Sequence, residues 1–231
     1  MSPVAAAIEA LAGIRPHASL YIAAIPGSEE SGAVAVIWVA AEMRGGTLAN
    51  AGSNAAQVEV TVQGRVTATQ VTLVPGQRGF VAPLTLHSPM ASGIVNVRVQ
   101  FAGAPATERE STRLDLASAA GHPLLFRRGP TTGNRLQPAA SGRFTRTERL
   151  HLEIPARAED KIGTARLLNR TGQVLAIPVT SGERTDAPTG QRWLTADITL
   201  AALAMGDYAI ELGIVKPAGE QRVISAFRIV P

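Results

Sequence analysis

Hydrophobic and polar residues alternate with a period of two along much of the chain. In residues 57–63 the valines at 58, 60 and 62 share one face, and polar residues occupy the positions between them. Residues 94–101 repeat this alternation and end with Phe101 on the apolar face. Because successive side chains of a β-strand point to opposite faces, each run predicts a strand with one buried face.

A third run, Gly32 to Glu42, is almost entirely apolar and includes Trp38. It predicts a central strand covered on both sides, or an inner strand of a sandwich. Pro75-Gly76 and the segment around Gly64 predict turns between further strands. About seven short strands fit between residues 18 and 116.

A second series of strands follows the small-residue stretch from Ala117 to Pro123, which we take as a domain boundary. Its predicted strands are 124–127, 143–154, 163–168, 174–179, 193–200, 208–214 and 223–230. Pro178 predicts an edge position for the fourth of them, because proline cannot donate to a sheet ladder. The alternation along 143–154 places Arg143 and Arg149 on one face, and Leu150, Leu152 and Ile154 on the face toward the core.

This spacing predicts an all-β fold with two tandem immunoglobulin- or fibronectin-like β-sandwiches and a short N-terminal helix. The predicted domains are 1–16 as helix or linker, 17–118 as the first sandwich and 121–231 as the second. Residues 203–212 are similar to a tyrosine corner, in which the hydroxyl of a tyrosine early in a late strand bonds to upstream backbone. Tyr208 is the candidate, and we assign structural roles to Tyr208, Trp38 and Trp193.

The N-terminal segment is the one run with helical periodicity. Ser2 is a candidate cap, Pro3 suits the first helical position, and Gly13 ends the segment. Val4, Ile8 and Leu11 share one face of the predicted helix. A helix of about ten residues is too short to be stable alone in water, so we interpret it as a linker or as a helix packed on another element.

Composition limits the class of protein. The chain has 231 residues, of which 45% are hydrophobic and 17% charged, and this composition argues against disorder. It contains no cysteine, which excludes disulfides, thiolate zinc sites and cysteine nucleophiles. The longest uninterrupted apolar run, residues 33–41, is far shorter than the roughly 20 residues of a membrane-spanning helix. The N-terminus has no secretory signal pattern, so the sequence assigns no compartment.

Positive charge is concentrated in the second half of the chain. Residues 1–120 contain 7 Arg and 8 acidic residues, whereas residues 121–231 contain 13 Arg, 2 Lys and 10 acidic residues. The candidate partner-binding residues are Arg127, Arg128, Arg135 and Arg149. A solvated sheet face also explains this asymmetry. A docking surface would take an acidic partner domain or an acidic polysaccharide, and nucleic acid is disfavoured because only Phe144 interleaves with the arginines.

No catalytic, cofactor-binding or metal-binding pattern is present in the sequence. The pentapeptide Gly-x-Ser-x-Gly is absent, and the four histidines (17, 87, 122 and 151) are too scattered for a zinc site. Glu153, Asp197 and Glu211 alternate with core residues, so we expect them to point to solvent. The loop Gly129–Arg135 lacks the Lys and Ser/Thr of a phosphate-binding loop and is expected to be a turn, with room for an anionic ligand beside its arginines.

Several segments of the second half carry a family resemblance. They are residues 124–135, 143–149, 165–172, 193–197, 206–208 and 226–231. With these, the chain resembles the β-rich C-terminal region of bacterial von Willebrand factor A-related proteins, most closely over residues 121–231. The resemblance implies a secreted or envelope protein with an upstream adhesion domain. The Asp-x-Ser-x-Ser metal run of that domain is absent from this chain, so no metal-binding role is carried over.

The sequence therefore predicts a non-catalytic structural or protein-interaction module of a bacterial envelope or secreted protein. The expected partner is an upstream domain or another protein. We expect this chain to bind no cofactor. The alternative is a binding module for an acidic glycan or other polyanion, which would use the arginine-rich face of the second domain. An enzyme with unrecognised carboxylate chemistry is a third hypothesis, and two exposed acids that converge in a cleft would support it.

Overall fold

The computed structural model describes residues 1–15, 20–27, 35–43, 55–74, 77–86, 93–102, 107–114 and 123–231. Within them lie one α-helix, α1 (Pro3–Ala12), and 17 β-strands. The strands are β1 (Leu20–Pro26), β2 (Ala35–Met43), β3 (Ala55–Val62), β4 (Arg65–Thr72), β5 (Gly79–Leu86), β6 (Gly93–Phe101), β7 (Thr107–Leu114), β8 (Leu124–Arg128), β9 (Gln137–Pro138), β10 (Arg143–Phe144), β11 (Arg149–Ala156), β12 (Lys161–Asn169), β13 (Val174–Leu175), β14 (Thr180–Thr185), β15 (Arg192–Thr199), β16 (Gly206–Lys216) and β17 (Gly219–Ile229). The prediction of an all-β fold with a short N-terminal helix is confirmed.

The chain divides into two compact units. The central unit is His17–Gly121, and the terminal unit combines Met1–Pro16 with His122–Pro231. The predicted turn Pro75-Gly76 and most of the predicted boundary stretch lie outside the described residues. In the described residues no helix has the length and apolar character needed to cross a membrane.

Two antiparallel sheets form the central unit, in the orders β1-β2-β5 and β4-β3-β6-β7. One hydrophobic cluster joins them, because alternate residues of both sheets point inward; it includes Ile37, Val39, Val58, Val60, Val97, Val99 and Phe101. The alternation of valines in β3 and β6 thus places one face of each strand in a sandwich core. Strand β2 is the middle strand of its sheet, and Trp38 on its other face is also buried, as predicted for a strand covered on both sides.

The terminal unit also contains two sheets, in the orders β14-β15-β11-β8-β9 and β10-β17-β16-β12-β13. All pairs are antiparallel except β10 with β17. The alternation predicted for residues 193–200 is confirmed, since Leu194, Ala196, Ile198 and Leu200 are all almost fully buried. The rings of Phe144 and Phe227 meet edge to face at 5.9 Å and belong to the same core.

Helix α1 is a packed helix of the terminal unit. Its first turn is capped by Ser2, whose Oγ accepts the N–H of Ala5 at 3.2 Å. Its buried face, which includes Ile8 and Leu11, packs against Leu168, Ala209 and Ala226 of β12, β16 and β17. Of the two interpretations of this segment, a linker or a packed helix, the contacts support the second.

Residues 143–154 do not form the single strand that the alternation predicted. Strand β10 ends at Phe144 in one sheet, and β11 begins at Arg149 in the other. Between them the backbone turns, with the N–H of Glu148 bonded to the carbonyl of Thr145 at 3.2 Å. The carboxylate of Glu148 accepts the N–H of Thr145 at 2.8 Å and closes the turn, so Arg143 and Arg149 lie in different sheets.

The predicted strand 174–179 is also shorter than expected. Only β13 (Val174–Leu175) pairs with β12, and the next strand along the chain is β14. Strand β14 is polar and exposed along its whole length, so it has no apolar alternation that would predict it.

Tyr208 forms the predicted tyrosine corner. Its hydroxyl donates to the carbonyl oxygen of Ala204 at 3.0 Å, four residues upstream. Its ring stacks on Phe227, with the ring centroids 5.7 Å apart. The contact fixes the turn that leads from β15 into β16, as it does in immunoglobulin-like domains.

Candidate functional site

Arg128 and Arg149, two of the four predicted contact residues, lie directly opposite each other. They form a cross-strand pair between β8 and β11. Opposite residues of an antiparallel pair point to the same face, with their Cβ atoms about 5 Å apart. Both side chains are exposed, and neither forms an ion pair with a described residue. We refer to Arg128 and Arg149 as the arginine pair.

The acidic residue beside the arginine pair does not neutralise it. Glu148 precedes Arg149, but its carboxylate is buried, with only 2% of the side chain exposed. It accepts hydrogen bonds from the backbone of Thr145 and from Thr131 Oγ1 at 3.2 Å, and Arg127 Nη1 lies 3.4 Å away. The hydrogen bonds of this carboxylate therefore stabilise the turn between β10 and β11 and leave the arginine pair without a counter-charge from Glu148.

Arg127, the third predicted contact residue, has a structural role. Besides Glu148, its guanidinium donates to the carbonyl of Arg143 at 2.9 Å and lies 5.6 Å from the centre of the Phe144 ring. Alternation along β8 places it on the face opposite to Arg128. Because its guanidinium is already bound within the chain, Arg127 is not a candidate contact residue.

The fourth candidate, Arg135, is exposed at the end of the loop that leaves β8. The loop is a 3₁₀ turn over Pro130–Thr132, as expected for a turn rather than a phosphate loop. The N–H of Gly129 donates to Thr132 Oγ1 at 3.1 Å, and the same hydroxyl donates to the carbonyl of Gly129 at 3.0 Å. The amide of Gly129 is therefore occupied and does not face an anion.

The expectation that Glu153, Asp197 and Glu211 all point to open solvent is wrong for two of them. Glu153 and Glu211 are each only 2% exposed, whereas half of the Asp197 side chain is exposed. Both glutamates do lie on the faces away from the cores, but arginines of neighbouring strands cover them. Arg184 of β14 binds Glu153 with two parallel hydrogen bonds, Nε to Oε1 at 2.5 Å and Nη2 to Oε2 at 2.6 Å.

His151 joins Glu153 and Asp197. Its Nδ1 lies 3.0 Å from Asp197 Oδ1 and its Nε2 lies 3.1 Å from Glu153 Oε1. Burial alone lowers the pKa of His151, but the hydrogen bonds to Glu153 and Asp197 outweigh it and hold the pKa above its ordinary value. Burial likewise raises the pKa of the Glu153 carboxyl, and the hydrogen bonds from His151 and Arg184 outweigh it and keep that pKa low.

This charged cluster of His151, Glu153, Asp197 and Arg184 is unsuited to acid-base catalysis. A general base needs a free nitrogen within reach of a substrate proton. Both ring nitrogens of His151 instead face carboxylates of the protein. Glu153 and Asp197 both converge on the imidazole of His151.

Glu211 is the centre of a second charged cluster. Arg166 and Arg222 both donate to its carboxylate across β12, β16 and β17. Burial raises the pKa of Glu211, but these hydrogen bonds outweigh it and lower the pKa below the ordinary value. The cluster holds three strands together through one buried carboxylate.

The described part of the chain offers no group of three or more histidine and acidic ligands suited to a metal ion. His17, His87 and His122 lie outside the described residues. Alternation does not predict the cluster around Glu153, because Arg184 lies on β14, which has no apolar face. The one sequence signal for it is His151-x-Glu153, which puts two titratable groups on one face of a strand.

Neither the protein-family models nor the curated protein sequences contain a match to this chain. The resemblance to von Willebrand factor A-related proteins therefore stays a prediction.

Proposed function

We propose that the protein is a non-catalytic interaction module whose terminal unit binds an acidic segment of a protein partner. The partner's carboxylates would bind the arginine pair, with Arg135 at the margin of the contact. The β-sheets would serve as a rigid scaffold for these side chains. The sequence resemblance suggests the setting, a bacterial envelope or secreted protein.

The proposal depends on one observation: no carboxylate of the described residues neutralises the arginine pair. Like charges directly opposite each other in a sheet destabilise it by some tenths of a kcal/mol, up to about 1 kcal/mol. The folded chain nevertheless keeps Arg128 and Arg149 opposite each other and exposed. A bound carboxylate would remove this repulsion and gain charge-assisted hydrogen bonds from both guanidinium groups.

The internal ion pairs of the other arginines favour a short acidic segment over a long polyanion as the ligand. Arg127, Arg166, Arg184, Arg192, Arg222 and Arg228 all bind carboxylates of the chain itself. Six of the 13 arginines in residues 121–231 are thus neutralised internally. A long polyanion needs an extended run of free positive charge, whereas the arginine pair suits one or two carboxylates. The acidic protein segment is therefore favoured over a glycan.

Charge reversal of the arginine pair tests this proposal. We expect Arg128→Glu/Arg149→Glu to weaken binding of a fluorescent Glu-Gly repeat peptide about tenfold, because two exposed ion pairs contribute together about 1.4 kcal/mol. The matched control is Arg157→Glu/Arg170→Glu, which makes the same charge change at two exposed arginines that form no ion pair with a described residue. Fluorescence anisotropy in low salt measures both affinities.

Three outcomes decide the matter. Selective loss of affinity in the first double variant supports the proposal, while equal loss in both variants would show general charge attraction and overturn it. If heparin, a sulfated glycan, binds more tightly than the peptide and loses affinity steeply with salt, the polyanion alternative replaces the acidic protein segment.

A further inference from the structure

Strand β4 forms an exposed edge of the central unit. It pairs with β3 and ends the order β4-β3-β6-β7. A two-residue loop joins the two strands, and both of its residues, Gln63 and Gly64, have positive φ values of 48° and 78°. Positive φ at both positions defines the type I′ hairpin turn, which suits the twist of the strands.

The hairpin decides which backbone groups of β4 are free. The loop closes on the pair Val62 and Arg65, and hydrogen-bonded pairs then alternate with non-bonded pairs along the ladder. Residues 65, 67, 69 and 71 therefore direct their N–H and C=O groups toward β3. Residues 66, 68, 70 and 72 direct theirs to the free edge, and their side chains are exposed.

This edge has no charged residue along residues 66–74, which read Val-Thr-Ala-Thr-Gln-Val-Thr-Leu-Val. Valine and threonine favour the strand conformation. Val66 and Val74 are 62% and 65% exposed, so apolar side chains occur at both ends of the segment. A long, uncharged edge of this kind is a template for pairing with another strand.

The other sheet edges in the described residues are each protected. Strands β9, β10 and β13 contain two residues apiece. Strand β5 contains Pro83, β1 ends at Pro26, and the sequences of β7 and β14 carry charged residues. Short length, proline and charge are the usual means by which proteins prevent edge pairing. Strand β4 has eight residues and no proline, and its one charged residue, Arg65, stands at its first position beside the hairpin turn, so residues 66–72 lack all three.

We propose that β4 pairs antiparallel with β4 of a second copy of this chain across a two-fold axis at Thr69. In this register Val66 lies opposite Thr72 of the second copy, and Ala68 lies opposite Gln70 of the second copy. Every outward backbone group of residues 66, 68, 70 and 72 gains a partner, which amounts to about eight hydrogen bonds. The two four-stranded sheets become one continuous sheet.

A second copy suits this edge better than an unrelated peptide. The outward residues are small or uncharged, so the edge matches itself in a symmetric register and meets no like charge. A two-fold contact of one patch with itself is also the commonest way in which soluble chains associate. Edge pairing alone buries less than the roughly 1,200 Å² of a stable interface, so the dimer is concentration-dependent.

Sedimentation velocity of the full chain over a concentration series tests the dimer. We expect the wild-type chain to shift from monomer to dimer, and Ala68→Pro and Ala68→Lys to remain monomeric. Proline is tolerated at residue 68 because that N–H faces the free edge and not β3. The control Gln100→Lys adds the same charge to an exposed position of the inner strand β6 and should dimerise like wild type. Circular dichroism checks that each variant is folded.

Cysteine pairs test the register, since the natural chain has no cysteine. An oxidised mixture of Ala68→Cys and Gln70→Cys chains should form mixed disulfide dimers faster than either variant alone. A hydrogen-bonded pair has its Cα atoms about 5.5 Å apart, which a disulfide can span. A wild-type chain that stays monomeric, or an Ala68→Pro chain that still dimerises, would overturn the proposal, and faster cross-linking of either variant with itself would overturn the register.

Discussion

Arg184 and Glu153 form a bidentate ion pair across the intervening strand β15. The guanidinium belongs to the exposed edge strand β14, and the carboxylate belongs to β11, where only 3% of its side chain is exposed. Arg184 also lies 5.3 Å from the centre of the buried Trp193 ring. A polar edge strand with no apolar face is thereby tied to the sheet through a side chain.

Removal of Arg184 should destabilise the terminal unit. We expect Arg184→Met to lower the free energy of unfolding by about 1.5–3 kcal/mol, because it removes two parallel hydrogen bonds from a buried carboxylate and leaves it with His151 alone. Arg222→Met is the matched control: Glu211 is equally buried but keeps Arg166, and we expect a loss below about 1 kcal/mol. Urea unfolding measures both, and equal losses would contradict the importance of the Glu153 pair.

The charged cluster predicts a pH dependence of stability. The pKa of His151 is above its ordinary value of 6.5 in the folded chain, so the stability that its charge contributes is full below that pH and is lost as the pH rises through the folded pKa. The lowered pKa of Glu153 sets the acidic limit of the pH range. The stability that the Glu153 carboxylate contributes is lost as the pH falls below about 4.5. The contribution of the cluster is largest between these limits.

Comparison of wild type with His151→Gln measures the histidine contribution. We expect the difference in unfolding free energy to be larger at about pH 5.5 than at about pH 9, because only the protonated ring donates to both Glu153 and Asp197. An NMR titration of the imidazole gives its folded pKa directly. A difference that grows toward alkaline pH would show that the neutral ring is the stabilising form, contrary to this expectation.

Gly142 predicts a measurable coupling between α1 and the sheet beneath it. Its φ is +64°, and an added Cβ would lie 2.6 Å from Leu11 Cδ1. We expect Gly142→Ala to cost about 1–2 kcal/mol for the left-handed backbone, plus a contribution from the steric clash with the helix. Leu11→Ala costs about 2–3 kcal/mol by itself, and the double variant should lose less than the sum, because the clash is gone.

The control for this cycle is Gly133→Ala in the same unit. Gly133 also has a positive φ, +58°, but nothing lies within 4 Å of an added Cβ. In urea unfolding, Gly133→Ala should lose only the free energy that the left-handed backbone costs. Its loss should add to that of Leu11→Ala without coupling. Additive losses for Gly142→Ala and Leu11→Ala would mean that the helix moves away freely and does not pack tightly at this position.

Local signals in the sequence predicted a large part of the fold. The cap at Ser2, the alternation of β3, β6 and β15, and the tyrosine corner at Tyr208 depend on residues close together in the chain, and the structure confirms each of them. The strand predicted for 143–154 was wrong because alternation continues through a turn. That turn depends on the Glu148 carboxylate, which alternation does not reveal.

The candidate site was predictable only in part, and the reason is electrostatic. The sequence located the arginine excess and named Arg128 and Arg149, but it also named Arg127, whose guanidinium is bound to Glu148 and to backbone. It placed Glu153 and Glu211 on the outer faces of their strands, yet it could not show that arginines cover them. Those arginines come from strands 31, 45 and 11 residues away in the chain.

The sequence by itself determined the class of structure: β-strands from the period of two, a capped helix at the N-terminus, and a net positive charge confined to the second half. Only the tertiary structure decided which of those charges remain available to a partner. Whether an arginine is neutralised depends on which carboxylate the strand register brings within about 4 Å of it, since ion pairing falls off steeply beyond direct contact in water. The register is a property of the assembled sheets, and so the exposed arginine pair emerges only once β8 and β11 lie side by side.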